Sequence, residues 1–480
     1  VVRALAIDVG SSSVRTALVD EAGNVTHVRQ RGLPRRSLRP GEVEYDALEI
    51  VSIARQLANA TLREGGGCAA VGITNQRATT VLFDRESLPV GPALSWEDLR
   101  TVMDCLVLQG RGIFLAPNQS ATKVKWLLEN SGRPGIELRF ATLETWLAWN
   151  LSAGQVYASD HSNASVSGLI ELTGTAWSEE VRQALGIEDV SLPCLVDTMG
   201  TLGSLKELDG APPLTALVGD QSASLFGQSC VRAGAKITFG TGAILDMIHG
   251  RPPATLRRLD SGCYPTVVRS QEGEVVWGVE AIDFSAGSSV QWLADLGVIS
   301  EVTLSEELAA SVPSSEGVTF VPALLGLGTP RWDFGARGAF FGLTRGSGSA
   351  HLARAVLEGV AQRGADLVEA AEREAGSALA QIRVDGGMST NNFFVQRLAD
   401  FSGRSIAVSS EREATTRGAG LMALVGAGHL RIDDVASIAS SHHAASPEID
   451  DAERAEARSI WFDAVERAAR SIPELSAVSF

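Results

Sequence analysis

The chain reads as an α/β protein built from two similar halves, and three observations predict this. Strand-like and helix-like segments alternate from one end to the other. A strand–turn–strand, "LAIDVGSSSVRTALVD" (residues 5–20), returns in design as "ITFGTGAILDMI" (237–248), with Gly10 and Gly240 separated by 230 positions in a chain of 480. That length also exceeds what one hydrophobic core usually supports, so two domains are expected.

Leu5, Ile7 and Val9 alternate as a strand with a buried face, and Val14, Ala17 and Val19 can pair back as a second strand. Gly10 permits a tight turn, where Ser11, Ser12 and Ser13 crowd hydroxyls and N–H groups suited to an anion such as phosphate. A plain hairpin with solvated serines is the competing reading. The second hairpin repeats the pattern with Gly240, Thr241 and Gly242, although chance recurrence competes in a chain with 49 glycines. "AAVGITNQRATTVLFD" reads as two strands bracketing a polar bend at Asn75–Arg77. "ATKVKWLLEN" and "LETWLAWNL" read as helices with tryptophans on their apolar faces. "TALVGDQSASLFGQ" is a buried strand ending at Gly219–Asp220, then a helix. The spacing of Leu352, Val356, Val360 and Leu367 predicts a long amphipathic helix. "IRVDGGMSTNNFFVQRLADFSG" is strand, glycine turn and helix, capped by Ser389 or Thr390 and stopped by Gly403. "SSHHAASPEIDD" is expected to be a loop before a last helix carrying Ile460, Trp461 and Val465.

Hydrophobic residues at 45% and charged ones at 20% describe a globular chain. A formal charge of -16 argues against a nucleic-acid scaffold while leaving room for a local cationic pocket. Five scattered cysteines without a CxxC pair predict reduced thiols rather than disulfides or zinc. Neither a charged-then-apolar leader nor a bilayer-length apolar run is present. The expectation is a cytoplasmic protein with no membrane or nucleic-acid partner.

GxxxxGK[ST] is absent, and no GxGxxG follows a strand, so neither a P-loop nor a dinucleotide fold is expected. A nucleotide would be held by the paired hairpins instead. Asp8, at a strand end beside the phosphates, suits Mg²⁺, or else caps its own turn. Asp220 is placed to act as base toward an acceptor hydroxyl in phosphoryl transfer, or to cap the helix after it. The glycines of "VDGGMSTNN" would let an adenine ring approach and its asparagines would hydrogen-bond it; a plain helix start reads equally well. The arginines between Arg29 and Arg39 read as a solvated hairpin face. His442 and His443 lack acidic or cysteine companions, which argues against metal. Arg77 and Trp96 each lie beside predicted strand ends, where packing or a surface ion pair is the commoner role.

Taken together, these segments resemble the FGGY carbohydrate kinases, most closely their glycerol kinase branch. The resemblance runs nearly end to end, through "IDVGSSSVR", "GITNQRATT", "SATKVKWLLEN", "TLETWLAWNL", "SDHSNASVSGL", "VGDQSASLFGQ" and "ITFGTGAIL". It continues in "SAGSSVQWLADLG", "VPALLGLGTPRWDFGARGAFFGLTRG" and "VDGGMSTNNFFVQRLADFSG". The resemblance implies an actin-like pair of ribonuclease-H-like domains, 1–228 and 229–480, around an active-site cleft. ATP would lie mostly on the second domain and a sugar or polyol deep in the first. Asp8 would hold Mg²⁺, Ser11, Ser12 and Arg15 would meet the phosphates from one side, and Gly240 with Thr241 from the other. Gly287, Gln291, Gly387 and Asn391 would line the nucleotide pocket. Asp220 would be the general base, and Arg77, Trp96 and Gln221 would face the acceptor. Domain closure around the substrate would keep the γ-phosphate from water.

Three acceptor positions depart from the glycerol kinase pattern: Ala78 stands for a glutamate, Asn118 for a tyrosine and Ile244 for a phenylalanine. The expected activity is therefore ATP-dependent phosphorylation of a small sugar or polyol other than plain glycerol. A xylulokinase-like ketose kinase is the nearest alternative, though its Met-His-Gly is replaced here by "NQR". An actin-like ATPase switch is the alternative of another class, and it would not need Arg77, Trp96 and Asp220 to converge. A homodimer is left open.

Overall fold

The computed structural model describes residues 1–130, 132, 137–411, 413–438 and 441–478. Strand β1 (Arg3–Val9) is apolar on both faces, as a strand covered from both sides must be. It joins β2 (Ser13–Asp20), β3 (Val25–Gly32), β4 (Ala70–Asn75), β5 (Met199–Ser204) and β6 (Pro213–Gly219) in the sheet order β5-β6-β4-β1-β2-β3. β4 runs parallel to both β1 and β6, so all three strands end at the same edge. Helix α1 (Ala47–Gly65) begins where the Asp46 carboxylate accepts from the N–H groups of Leu48 and Glu49, and stops at left-handed Gly66. It packs with Leu5, Ile7 and Val9 on one face of the sheet. α2 (Ala121–Asn130) and α3 (Leu143–Leu151) follow, and the buried Trp146 indole of α3 donates to the Ala47 carbonyl.

After α4 (Asp220–Gly227) the plan repeats. Strands β7 (Gly234–Phe239), β8 (Ala243–Ile248), β9 (Tyr264–Gln271), β10 (Glu274–Asp283), β11 (Gln381–Asp385), β12 (Ser405–Ser409) and β13 (Ser441–Ala445) form a second sheet, ordered β9-β10-β8-β7-β11-β12-β13. β7 and β11 are parallel neighbours and again end at one edge. Its helices are α5 (Gly287–Asp295), α6 (Ser349–Ala375), α7 (Asn392–Ser402), α8 (Ala414–Gly426) and α9 (Asp451–Ala468). Val356, Val360 and Leu367 of the long α6 pack against the second sheet as their spacing predicts.

Two local expectations change. The segment expected as a loop supplies β13, because the backbone edge of β12 is open to pairing and takes it antiparallel, with Val408 opposite His442. Ser440 of that segment lies outside the described residues. The cap of α7 is Asn391, whose Oδ1 accepts from the Phe394 N–H at 2.9 Å. Residues Gly387–Thr390 form a 3₁₀ turn, so the hydroxyls of Ser389 and Thr390 donate back to Gly386 and Gly387 instead.

α4 and α8 connect the two halves. Ala419 and Ala423 of α8 pack with Ala4, Ala6 and Val19 of the first sheet, whereas Leu225 of α4 packs with Ile248, Val268 and Val276 of the second. α8 thus serves the first sheet, α4 packs on both through Ala223 and Phe226 on one side and Leu225 on the other, and the two helices cross closely. A Cβ on Gly418 would sit 1.8 Å from the Ala223 carbonyl oxygen, and one on Gly227 2.0 Å from that of Ala414. Only glycine allows this approach.

Candidate active site

Strands that end at a common edge deliver their following turns to one place, and in open α/β sheets ligands bind there. In the first sheet those turns carry Ser11–Ser13, Gln76–Thr79 and Asp220. In the second they carry Gly240–Gly242 and Gly386–Gly387, and the Gly287 N–H donates to the Gly240 carbonyl at 2.9 Å, bringing the start of α5 beside them. The two edges face each other. Thr416 of α8 donates to the Asp8 carboxylate at 3.0 Å, Arg77 of the first half pairs with Glu280 of β10, and Lys236 of β7 donates to Gln221 of α4 at 2.6 Å.

The two hairpin turns suit phosphate. The N–H groups of Ser11, Ser12 and Thr241 make no hydrogen bond among the described residues. Ser12, Gly240 and Thr241 are exposed. Free N–H groups on paired turns are donors waiting for an anion. Arg15, opposite Asp8 across β1 and β2, lies 3.7 Å from its carboxylate and 2.5 Å from Glu413.

Burial drives the Asp8 carboxyl up to about 6, against the opposing pull of Arg15 and Thr416; Asp220 and Glu413 push it further. A buried carboxylate under that strain would be relieved by a cation. Among the described residues no three acidic, histidine or cysteine side chains form a ready cage. That donor set fits magnesium, which takes one or two carboxylates and completes its shell with water and phosphate oxygens.

Arg77, Ala78, Asp220 and Gln221 come together at the ends of β4 and β6. Asp220 is the first residue of α4, and Gly219 holds the cap position. The helix-cap reading of Asp220 is therefore not realised: among the described residues its carboxylate accepts only the adjacent Gln221 N–H, at 2.8 Å, and it lies 3.5 Å from Arg77 Nε. Burial raises its pKa, with Arg77 opposing. The Arg77 guanidinium would be lowered by burial, but Glu280 and Asp220 outweigh this and raise it. Its Nη1 is buried without a partner among the described residues.

Ala78 is buried in the left-handed region at φ 59°, and its carbonyl accepts from the hydroxyls of Ser120 and Thr80. Ser120 thus ties the exposed Asn118 turn to this loop. Ile244 is half-buried on β8, directly between Thr238 and Ile282. Trp96 is exposed beyond the short strand Ala93–Leu94. No hydrogen bond or ring contact links Trp96 or Asn118 to Arg77 or Asp220 among the described residues.

Of the residues expected to border a nucleotide, Gly387 is open: a Cβ there would meet nothing within 4 Å. Asn391 and Gln291 are committed locally: Asn391 caps α7 and donates to Ser305 at 3.3 Å, and Gln291 donates to Asp295 on its own helix. Sequence reasoning missed Lys236, Asp246, Glu280, Glu413 and Thr416. Alternation would have flagged Lys236, Asp246 and Glu280 as charged residues at buried strand positions. Nothing local pointed to Glu413 or Thr416.

Two sheets that turn their parallel strand ends toward one cleft, one side bearing a carboxylate beside an arginine and both bearing free backbone donors, define a two-domain phosphotransferase of actin-like fold. Residues 3–227 match the N-terminal domain, and residues 235–427 the C-terminal domain, of the FGGY family of carbohydrate kinases. The chain belongs to that family and is an ATP-dependent phosphotransferase. It is 38% identical to the glycerol kinases of Aromatoleum aromaticum and Thermus brockianus, each match covering 97% of this chain and 98% of the relative. Its structure is similar to that of Plasmodium falciparum glycerol kinase with ADP, at a TM-score of 0.90 and 27% identity, over 100% of this chain and 99% of the other. A xylulose kinase from Lactobacillus acidophilus shares the fold at a TM-score of 0.88 and 18% identity, over 99% of this chain and 100% of that one. No helix among the described residues is long and apolar enough to cross a membrane.

Proposed function

We propose that the enzyme transfers the γ-phosphate of ATP to a hydroxyl of a neutral polyol or small sugar, and that plain glycerol is a poor acceptor. The observation that carries this is the meeting of Asp220, Arg77 and Gln221 at one cleft wall, with the free N–H groups of Ser11, Ser12 and Thr241 lining its phosphate end. Asp220 takes the proton of the acceptor hydroxyl as that oxygen bonds the γ-phosphorus; the bond to the β–γ bridging oxygen breaks and ADP departs with its electron pair. A pKa raised by burial makes Asp220 a better base than a solvated carboxylate. Arg77, anchored by Glu280, holds acceptor oxygens in place. Asp8 is the residue that would hold a magnesium ion, which when bound neutralises phosphate charge. Arg15, Ser11, Ser12, Gly240 and Thr241 grip the phosphates, while Gly287, Gln291, Gly387 and Asn391 border the nucleotide. Trp96, Asn118 and Ile244 shape the acceptor end. Domains 1–228 and 229–480 supply the two walls, and closure between them excludes water.

Ala78 carries no carboxylate to accept a hydroxyl proton. A hydroxyl left unpaired in a closed site costs roughly 1–3 kcal/mol, so losing two such partners weakens glycerol by about a hundredfold in kcat/KM. Coupled ADP release with three-, four- and five-carbon polyols and ketoses tests this. A longer acceptor should give the highest kcat/KM. Glycerol outperforming all of them would overturn the acceptor reading, and no acceptor response at all would favour an ATPase switch.

A further inference from the structure

β7, β8 and β10 place three charged side chains in one cross-strand row. Lys236 lies directly opposite Asp246, and Asp246 directly opposite Glu280. Directly opposed residues project from the same face of a sheet. Here that face meets the end of α4 that bears Asp220 and Gln221. Lys236 is fully buried, an environment an ammonium tolerates only when every proton finds a partner. It does: Nζ lies 3.0 Å from Asp246 Oδ2 and donates to Thr238 Oγ1 at 3.0 Å and to Gln221 Oε1 at 2.6 Å. Burial alone would lower its pKa, but Asp246 and Asp385 outweigh that and raise it, so the ammonium stays charged.

An ammonium donates and never accepts, so the only part of the Gln221 amide that can face it is the carbonyl oxygen. The NH₂ is thereby turned the other way, and it makes no hydrogen bond among the described residues. The Gln221 backbone is fixed as well, since its N–H is held by Asp220. We propose that Lys236 is a positioning residue for the acceptor site: by holding Gln221 Oε1 it locks the amide with NH₂ toward the cleft, where it donates to an acceptor oxygen. This rests on the assignment of that wall as the acceptor site. Asp220 and Gln221 then divide the work, the first accepting the proton of the reacting hydroxyl and the second donating to an oxygen of the substrate. Substrates must present an oxygen lone pair there, and a protonated amine at that position is refused. Because Lys236 comes from the second sheet, Gln221 is set correctly only when the two walls are together.

The test uses the full-length enzyme and the best acceptor from the polyol panel. Lys236→Met alone strands the buried Asp246, so the paired variant K236M/D246L removes one charge of each sign and leaves Glu280 paired with Arg77. Gln221→Glu is the independent variant: it keeps an oxygen toward Lys236 and loses the donor. Both are expected to raise acceptor KM about tenfold, the worth of one hydrogen bond to a bound oxygen, while KM for ATP stays within about twofold. Adding Gln221→Glu to K236M/D246L is expected to add less than the product of the two effects, as for groups acting through one contact. Acceptor KM unchanged in K236M/D246L, or acceptor and ATP KM rising together, would overturn the role of Lys236 while leaving the kinase reading in place. A wild-type enzyme that no acceptor stimulates would overturn both.

Discussion

Replacing Asp220 by asparagine isolates the proton-accepting step. The amide keeps an oxygen for the Gln221 N–H now 2.8 Å away, and Arg77 retains its pairing with Glu280. The five charges at this wall comprise Asp220, Asp246 and Glu280 against Arg77 and Lys236. Neutralising Asp220 leaves two of each sign, so the fold should lose no more than about 1 kcal/mol. What disappears is the base. A positioned general base is worth about 10²–10⁴-fold, which is roughly 3–5 kcal/mol of barrier at 1.36 kcal/mol per decade. Coupled ADP release at saturating acceptor should fall by that factor, while ATP affinity, measured by calorimetry without acceptor, stays within about threefold because the phosphate turns are untouched. Turnover above about a tenth of the wild-type rate would refute the assignment and reduce Asp220 to a structural carboxylate.

Three further outcomes are expected. Ala78→Glu should shift the ratio of kcat/KM for glycerol over that for longer polyols toward glycerol by about tenfold, the worth of one restored hydrogen bond; an unchanged ratio would mean that position 78 does not read the acceptor. Asp8 titrates at about 6 in the folded chain against an ordinary 3.8, so the folded state holds a proton that the unfolded chain has released. Its contribution to stability is full below about pH 4 and lost as the pH rises to about 6, and Asp8→Asn should flatten the fall in Tm over that window; parallel Tm curves for the two proteins would dismiss the shift. Gly418→Ala forces a Cβ to within 1.8 Å of the Ala223 carbonyl oxygen. It should cost about 1–3 kcal/mol in chemical denaturation as α4 and α8 move apart, and a variant as stable as the wild type would show that the crossing has slack.

Strand ends, turns and caps depend on neighbours along the chain, and most of them are legible in the amino-acid sequence. The alternation of Leu5, Ile7 and Val9, the glycine and hydroxyl turns after β1 and β7, and Asp220 at the end of an apolar strand all stand where their local patterns put them. The cap of α7 falls one or two residues beyond the expected serine or threonine, because a 3₁₀ turn costs little more than a loop and leaves no clear mark in composition. β13 escapes a sequence reading because a strand at a sheet edge is made by its partner's unpaired backbone, not by its own residues. Within the site, short-range pattern places Asp8, Arg77 and Asp220 at strand ends, and Gln221 enters only through the family resemblance. What holds them comes from far away: Glu280 reaches Arg77 across 203 positions and Thr416 reaches Asp8 across 408. Lys236, Asp246 and Glu280 are ordinary charged residues until strand register sets them opposite one another and burial removes the water that would have screened them. Only the tertiary structure could decide those contacts, because their energy comes from desolvation and pairing between segments that share no local sequence.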